Sequence, residues 1–378
     1  MIQFSINKNV FLQALNTTKR AISGKNAIPV LSTVKIEVSQ EGITLTGSNG
    51  QISIEYYIST KDTNAGLLIT SPGSILLEAS FFINVISSLP DIVVEIKEID
   101  HQQIVMTSGK SEITLKGKEA EQYPRLQEVA TSNPLILETK ILKEMINETA
   151  FAASTQESRP LLTGVHLVLD HHTELTTVAT DSHRLSQRKL TLEKSGDNFD
   201  VVIPSKSLRE FTSVFSDDIE TVEVFFSSNQ LLFRSDYISF YTRLLEGNYP
   251  DTNRLIPKEF NTTVVCDVTY LRQAMERARL LSNATQNGTV KLEITDQVVS
   301  AHVHSPEVGQ VNEELDTYLV EGEDLTISFN PTYLIEALKA IDSEQIKISF
   351  ISPVRPFTLV PNGTAEDFIQ LITPVRTN

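Results

Sequence analysis

A single cysteine among 378 residues, Cys266, excludes an internal disulfide, and one thiol offers no metal-binding spacing. No apolar run approaches the roughly 18 residues that a membrane-spanning helix requires. Residues 1–6 lack a basic stretch followed by an apolar one, so no signal peptide is expected. Also missing are the Gly-x-x-x-x-Gly-Lys-[Ser/Thr] phosphate loop, the Gly-x-Gly-x-x-Gly fingerprint and the Gly-x-Ser-x-Gly elbow. Nucleotide-driven and serine-hydrolase chemistry therefore have no familiar seat. Positive charge is scarce: 32 Lys+Arg face 48 Asp+Glu, for a net charge of -16 and a pI near 4.9. A field of that sign repels nucleic acid unless the cations gather on one face. These absences lead to the expectation of a cytoplasmic protein that uses no metal and no cofactor.

What is present is an ordinary globular composition, with 40% hydrophobic and 21% charged residues. The length allows two or three domains, each with its own core. An internal repeat selects three. Pro29-Val30-Leu31-Ser32-Thr33-Val34-Lys35-Ile36 is echoed at an offset of about 131 by Pro160-Leu161-Leu162-Thr163-Gly164-Val165-His166-Leu167. Both open the apolar/polar alternation of a half-buried strand. Leu45–Asn49 returns as Thr177–Asp181, and a weaker third echo runs through 288–294 and 302–306.

Helical spacing repeats as well. Apolar residues fall on one face in 10–15, 141–146 and 270–275, and a second helical pattern follows each run of strands, in 80–89, 205–215 and 331–341. Alternating segments come next, at 92–99, 221–226 and 346–351. Each unit of roughly 126 residues thus reads helix, strands, helix, strands, an α+β fold of helices packed on antiparallel sheet. Patterning lapses around Tyr123-Pro124 and Tyr249-Pro250, where an aromatic anchor precedes a residue of fixed φ. The expected domains are 1–127, 128–257 and 258–378.

Few residues offer chemistry. Asp181-Ser182-His183 has the residue types of a hydrolytic triad, but neighbours on an extended chain alternate faces and cannot share one site. His171-His172 and His302-x-His304 lack further ligands at useful spacing. Basic residues do recur on equivalent helices: Lys8, Lys19, Arg20 and Lys25 on or beside the first, Lys140 and Lys143 on the second, and Arg272, Arg277 and Arg279 on the third. One such helix is an ordinary solvated face; three in an acidic protein point to a shared positive surface.

Five motifs carry a family resemblance. Arg159-Pro160-Leu161-Leu162-Thr163-Gly164-Val165, Ala179-Thr180-Asp181-Ser182-His183-Arg184-Leu185, Gly247-x-Tyr-Pro-Asp251, Phe329-Asn330-Pro331-Thr332-Tyr333-Leu334 and Pro374-Val375-Arg376 resemble signatures of the bacterial sliding clamp, the β subunit of DNA polymerase III. The resemblance spans the chain. It implies the DNA clamp fold, with three similar domains per protomer and a head-to-tail homodimer closed into a ring. Helices would line a hole around double-stranded DNA. It further implies a non-catalytic processivity factor that tethers DNA polymerases, the clamp loader and repair proteins through short linear motifs.

Residue by residue, the resemblance implies a peptide pocket between domains two and three. Leu162, Thr180, Ser182, His183, Arg184 and Leu185 match its first part, and Pro250, Arg254 and Leu255 its linker part. Asn330, Tyr333, Val354, Pro356, Leu371, Ile372, Thr373, Pro374, Val375 and Arg376 match the rest, with His183, Arg184 and Arg254 as the rim of an apolar cleft. Val375 stands where a methionine occurs in some relatives, and Thr377-Asn378 extend past Arg376. Lys25, Gln156 and Arg159 match positions near DNA, joined by Arg272, Arg277 and Arg279 on their helix. Ile113 and Leu115 would meet Leu280 and Leu281 of a second copy. Two other functions stand beside the clamp: a hydrolase using Ser182 and His183, and a repeat-built scaffold that binds proteins but no DNA.

Overall fold

The computed structural model describes residues 1–24, 28–100, 102–124, 129–284, 288–363 and 367–376. Six α-helices occur among them: α1 (Lys8–Lys19), α2 (Ala79–Ser88), α3 (Thr139–Thr149), α4 (Ser205–Val214), α5 (Val268–Ser282) and α6 (Pro331–Lys339). They fall where the apolar spacing places them, two to a module. Caps set their starts. Asn7, Asp267 and Asn330 accept backbone N–H groups at the openings of α1, α5 and α6, and Glu78 accepts two at α2. Pro331 occupies the first turn of α6, where a missing N–H is harmless.

The module order differs from the expected one at two points. A short strand precedes the first helix of every module, Gln3–Asn7, Leu135–Glu138 and Thr262–Asp267. These strands are only four to six residues long, too short for alternation to stand out. The Pro29 and Pro160 motifs, expected to open strands, instead form 3₁₀ turns over Pro29–Ser32 and Pro160–Thr163, and the strands begin at Thr33 and Gly164. Proline brings no N–H to a ladder, and the Ser32 and Thr163 hydroxyls bond back to the proline carbonyls at 2.8 and 2.6 Å.

The chain divides into two compact units: residues 1–141 with 210–244, and 142–209 with 245–378. The cut passes through the central module because sheets run across module boundaries. In the first unit, strand Ile52–Ser59 of module one pairs with Ile238–Arg243 of module two, completing an eight-stranded sheet. In the second, Arg184–Thr191 of module two pairs with Phe368–Ile372 of module three inside a nine-stranded sheet. Each half of the central module is thus hydrogen-bonded to a neighbour along a whole strand.

Among the described residues, two further sheets end in free edges. The five-stranded sheet of module one ends at Ser111–Lys116, and the four-stranded sheet of module three ends at Gly309–Leu315. The cores are apolar and aromatic. Phe4, Phe11 and Phe82 meet edge to face beneath α1 and α2, and Phe329, Phe350 and Phe357 pack in module three. Cys266 is buried there, its thiol pushed up to about 12 by desolvation and then by Asp267, which keeps it a protonated, inert core residue.

One ionisable group in the second unit sets a pH dependence. Burial raises the Glu148 carboxyl from 4.5 to about 7; Arg188, 3.2 Å away, pulls the other way, while Glu144, Asp367 and Asp342 reinforce the rise. The folded state therefore binds a proton that the unfolded chain has released. Stability from this group is full below about 4.5 and is lost as pH rises through 7. Glu148→Gln should leave the unfolding temperature nearly unchanged at pH 4.5 and raise it at pH 8. The gain, reduced for partial exposure, is about 1–2 kcal/mol. Thermal unfolding of both proteins across that range checks this; a parallel offset at every pH would remove Glu148 as the cause.

Candidate functional site

The residues that resemble the peptide pocket lie in the second unit, around the start of strand Arg184–Thr191. After strand Glu174–Thr180, Asp181, Ser182 and His183 form a turn rather than an extended segment, with Ser182 at φ 78°. Asp181 closes it: Oδ1 accepts from the His183 and Arg184 N–H groups at 2.9 and 3.0 Å. The carboxylate is occupied by this turn and by Arg184 Nε, at 3.0 Å. The Ser182 hydroxyl accepts from Arg159 Nη1 at 3.0 Å, and the His183 ring stacks on Tyr333 with centroids 6.3 Å apart. None of these contacts links the Ser182 hydroxyl to the His183 ring, or that ring to a carboxylate, as a hydrolytic relay needs.

The C-terminal segment is stitched to that turn. Thr373 donates from both its N–H and its hydroxyl to the His183 carbonyl, at 2.8 and 2.7 Å, and the Val375 N–H reaches the Ser328 carbonyl. Register pairs Arg184 with Ile372 and Leu185 with Leu371. Beneath them, Leu185, Leu371 and Val178 pack with Tyr249, whose hydroxyl accepts from the Thr180 N–H at 3.1 Å. The Tyr-Pro anchor is therefore part of the site's floor. Gly247, at φ 129°, lies against Leu161, where a Cβ would come within 2.9 Å of a methyl carbon.

The matched residues separate by exposure. Leu162, Leu185, Leu371 and Ile372 are 8, 2, 4 and 1% exposed, so they form floor and core rather than a surface that closes around a guest. The accessible apolar side chains are Leu255, Val354 and Val375, at 52, 57 and 38%. Pro250 is exposed, and Tyr333, Pro356, Thr373 and Pro374 are half-buried. Arg184, expected on the rim, is instead enclosed: its guanidinium binds Asp181, Glu336 and the Phe151 carbonyl and lies between the Phe151 and Tyr333 rings. Phe151 and Glu336 escaped the sequence analysis, which weighed Asp181 only as a member of a hydrolytic triad. Only the placement of Glu336 three residues after Tyr333 on a helix hinted at a shared face. Arg254 keeps an exposed position and pairs with Asp251 at 2.8 Å. Asn330 is taken up as the α6 cap, and Arg376 is exposed.

The expected DNA contacts are mixed. Lys25 lies outside the described residues. Gln156 and Arg159 are exposed, but Arg159 binds Ser182 and so borders the peptide residues. On α5, Arg272 pairs with Glu276 at 3.3 Å, and Arg277 pairs with Glu313 of the edge strand Gly309–Leu315. Arg279 keeps a buried Nε without a hydrogen-bond partner among the described residues. Local carboxylates temper the positive face of α5. Of the expected contact residues, Ile113 and Leu115 alternate half-buried along the free edge strand, Leu280 is 75% exposed, and Leu281 is 9% exposed and belongs to the module core.

Repeated modules joined strand to strand, with a tethered C-terminal segment over one junction, define a three-domain clamp protomer. Comparison with known proteins agrees along the whole length. Family models of the DNA polymerase III beta subunit match residues 2–127 with the N-terminal domain, 136–251 with the central domain and 253–376 with the C-terminal domain. The beta sliding clamp of Streptococcus pneumoniae serotype 4 is 78% identical over 378 residues, covering all of both chains. Among solved structures, the DNA polymerase III beta chain of Streptococcus pneumoniae superposes with a TM-score of 0.99 at 77% identity, and the sliding clamp of Bacillus subtilis with 0.96 at 37%, each covering both chains in full. The chain belongs to the DNA polymerase III beta subunit family.

Proposed function

We propose that this protein is a DNA sliding clamp, a non-catalytic processivity factor that encircles duplex DNA in the cytoplasm and tethers polymerases to it. The observation that carries this is the match of all three beta-subunit domains, in order, across the chain. The domains would span 1–127, 128–257 and 258–378.

A second copy is needed to close the ring, and the repeat supports one. The strand of module one that follows its first hairpin pairs with the last strand of module two, and the equivalent strand of module two pairs with the last strand of module three. The third equivalent pair, Gly309–Leu315 of module three and Ser111–Lys116 of module one, is left with open edges. Joining them between copies gives a head-to-tail homodimer and covers two edges that would otherwise invite aggregation.

DNA contact would be ionic and blind to sequence, since a sliding ring needs phosphate attraction without base readout. Arginines already paired to carboxylates on α5 suit weak contact. Lys25, Gln156 and Arg159 would add to it. The protein should stay on closed circular DNA at high salt and leave once the circle is cut. Arg272→Ala with Arg279→Ala should lower the salt slope of residual binding by about one unit per lost phosphate contact, with no change in base preference. Equal loss from circular and linear DNA would refute encirclement.

Polymerases, the loader and repair proteins would dock through linear motifs with a glutamine and apolar anchors. Leu255, Val354 and Val375 supply the accessible apolar surface, over a floor of Leu162, Leu185, Leu371 and Ile372.

A further inference from the structure

The turn at the head of the peptide site has a twin in the first unit, which serves as an internal control. Asn49 Oδ1 accepts from the Gln51 and Ile52 N–H groups, both at 2.9 Å, as Asp181 Oδ1 does from His183 and Arg184. Gly50 has φ 87° where Ser182 has 78°. The Gly50 N–H reaches Ser48 Oγ at 3.1 Å, and the Ser182 N–H reaches Thr180 Oγ1 at the same distance. The adjoining strand returns a hydrogen bond in both, from the Arg243 N–H to Gln51 O and from the Thr373 N–H to His183 O. At the position of Arg184 the twin carries Ile52, 5% exposed and uncharged. The turn and its strand junction therefore form without an arginine at that position; Glu210, on α4 where α6 carries Glu336, pairs instead with Arg20 at 3.2 Å.

What the second junction adds is a brace. The Arg184 side chain is 12% exposed, and every guanidinium nitrogen has a partner: Nε with Asp181 at 3.0 Å, Nη1 with Glu336, and Nη2 with the Phe151 carbonyl at 2.9 Å. Its Cζ lies 4.9 Å from the Tyr333 ring centroid, and the His183 ring stacks near Tyr333 at an interplanar angle of 10°. Tyr333 is held by two residues of the turn, and Glu336, one helical turn along α6, anchors the guanidinium. A guanidinium so engaged is not offered to a ligand carboxylate; its effect is on the position of Tyr333.

We propose that Glu336 is a positioning residue of the peptide site, acting through Arg184 to fix Tyr333 and the 181–184 turn in the shape that receives a partner's motif. This rests on the peptide-site assignment above. Glu336 is 41% exposed, so its variants should fold. Fluorescence polarisation of the full-length protein with a labelled peptide carrying a glutamine and two apolar anchors reads the effect. Glu336→Ala should weaken binding about tenfold, the scale of one charged hydrogen bond, and Glu336→Gln, which keeps an acceptor, should recover about a third or more of the loss. In an Arg184→Met background, which keeps the packing stem, Glu336→Ala should change affinity less than about twofold. Additive losses, or unchanged affinity in Glu336→Ala, would overturn the brace. Leu255→Asp with Val354→Asp separates the two levels: if that pair leaves affinity unchanged, the peptide site itself is misplaced, whereas weakening there with no effect at Glu336 sinks the brace alone.

Discussion

Ile113→Asp combined with Leu280→Asp should convert the protein to a monomer and abolish its retention on circular DNA. Ile113 is half-buried on the free edge of Ser111–Lys116, and Leu280 is 75% exposed on the outer side of α5. In the proposed dimer both lose water, and each fully buried side chain of this size stabilises by roughly 1.5–3 kcal/mol. Placing carboxylates there removes that gain and adds desolvation of two charges, so dissociation should strengthen by at least about a hundredfold. Leu281→Asp would be a poor substitute, because that side chain belongs to the module core and its loss would unfold the module. Light scattering at micromolar concentration, alongside a circular-DNA retention assay, reads both consequences. A dimer that survives the double substitution would place the interface on other strands.

Removing residues 373–378 should lower affinity for partner peptides by about tenfold or more while dimer and DNA retention persist. The truncation deletes both Thr373 bonds to the His183 carbonyl, the Val375 bond to Ser328, and the exposed Val375 side chain. Neither free edge strand nor α5 includes these residues. Two apolar anchors buried against the remaining surface can give micromolar binding only while the wall that desolvates them stands. Polarisation with a polymerase-derived peptide measures the loss. Unchanged affinity would put the docking site elsewhere.

The periodicity of the chain determined much of the architecture. Helical spacing located α1 to α6, strand alternation located the segments beside them, and the echo between the Pro29 and Pro160 motifs established repetition, because hydrophobic period and proline geometry are local properties. Local pattern also marked the Tyr249-Pro250 anchor, but residues 181–183 read as extended chain where the structure has a turn. Strands of four residues such as Leu135–Glu138 escaped, since alternation needs length to rise above chance. The tertiary structure alone decided which matched residues face water. Leu185 and Leu255 are the same residue type among the matched positions, yet one is 2% and the other 52% exposed, because Leu185 lies on a strand paired with Phe368–Ile372 and Leu255 in the short turn Asn253–Leu255. It also decided the fate of charge. Arg184 reads in sequence as a cation for a rim, but Glu336, 152 residues away, encloses it, and no local pattern encodes a contact across such a separation.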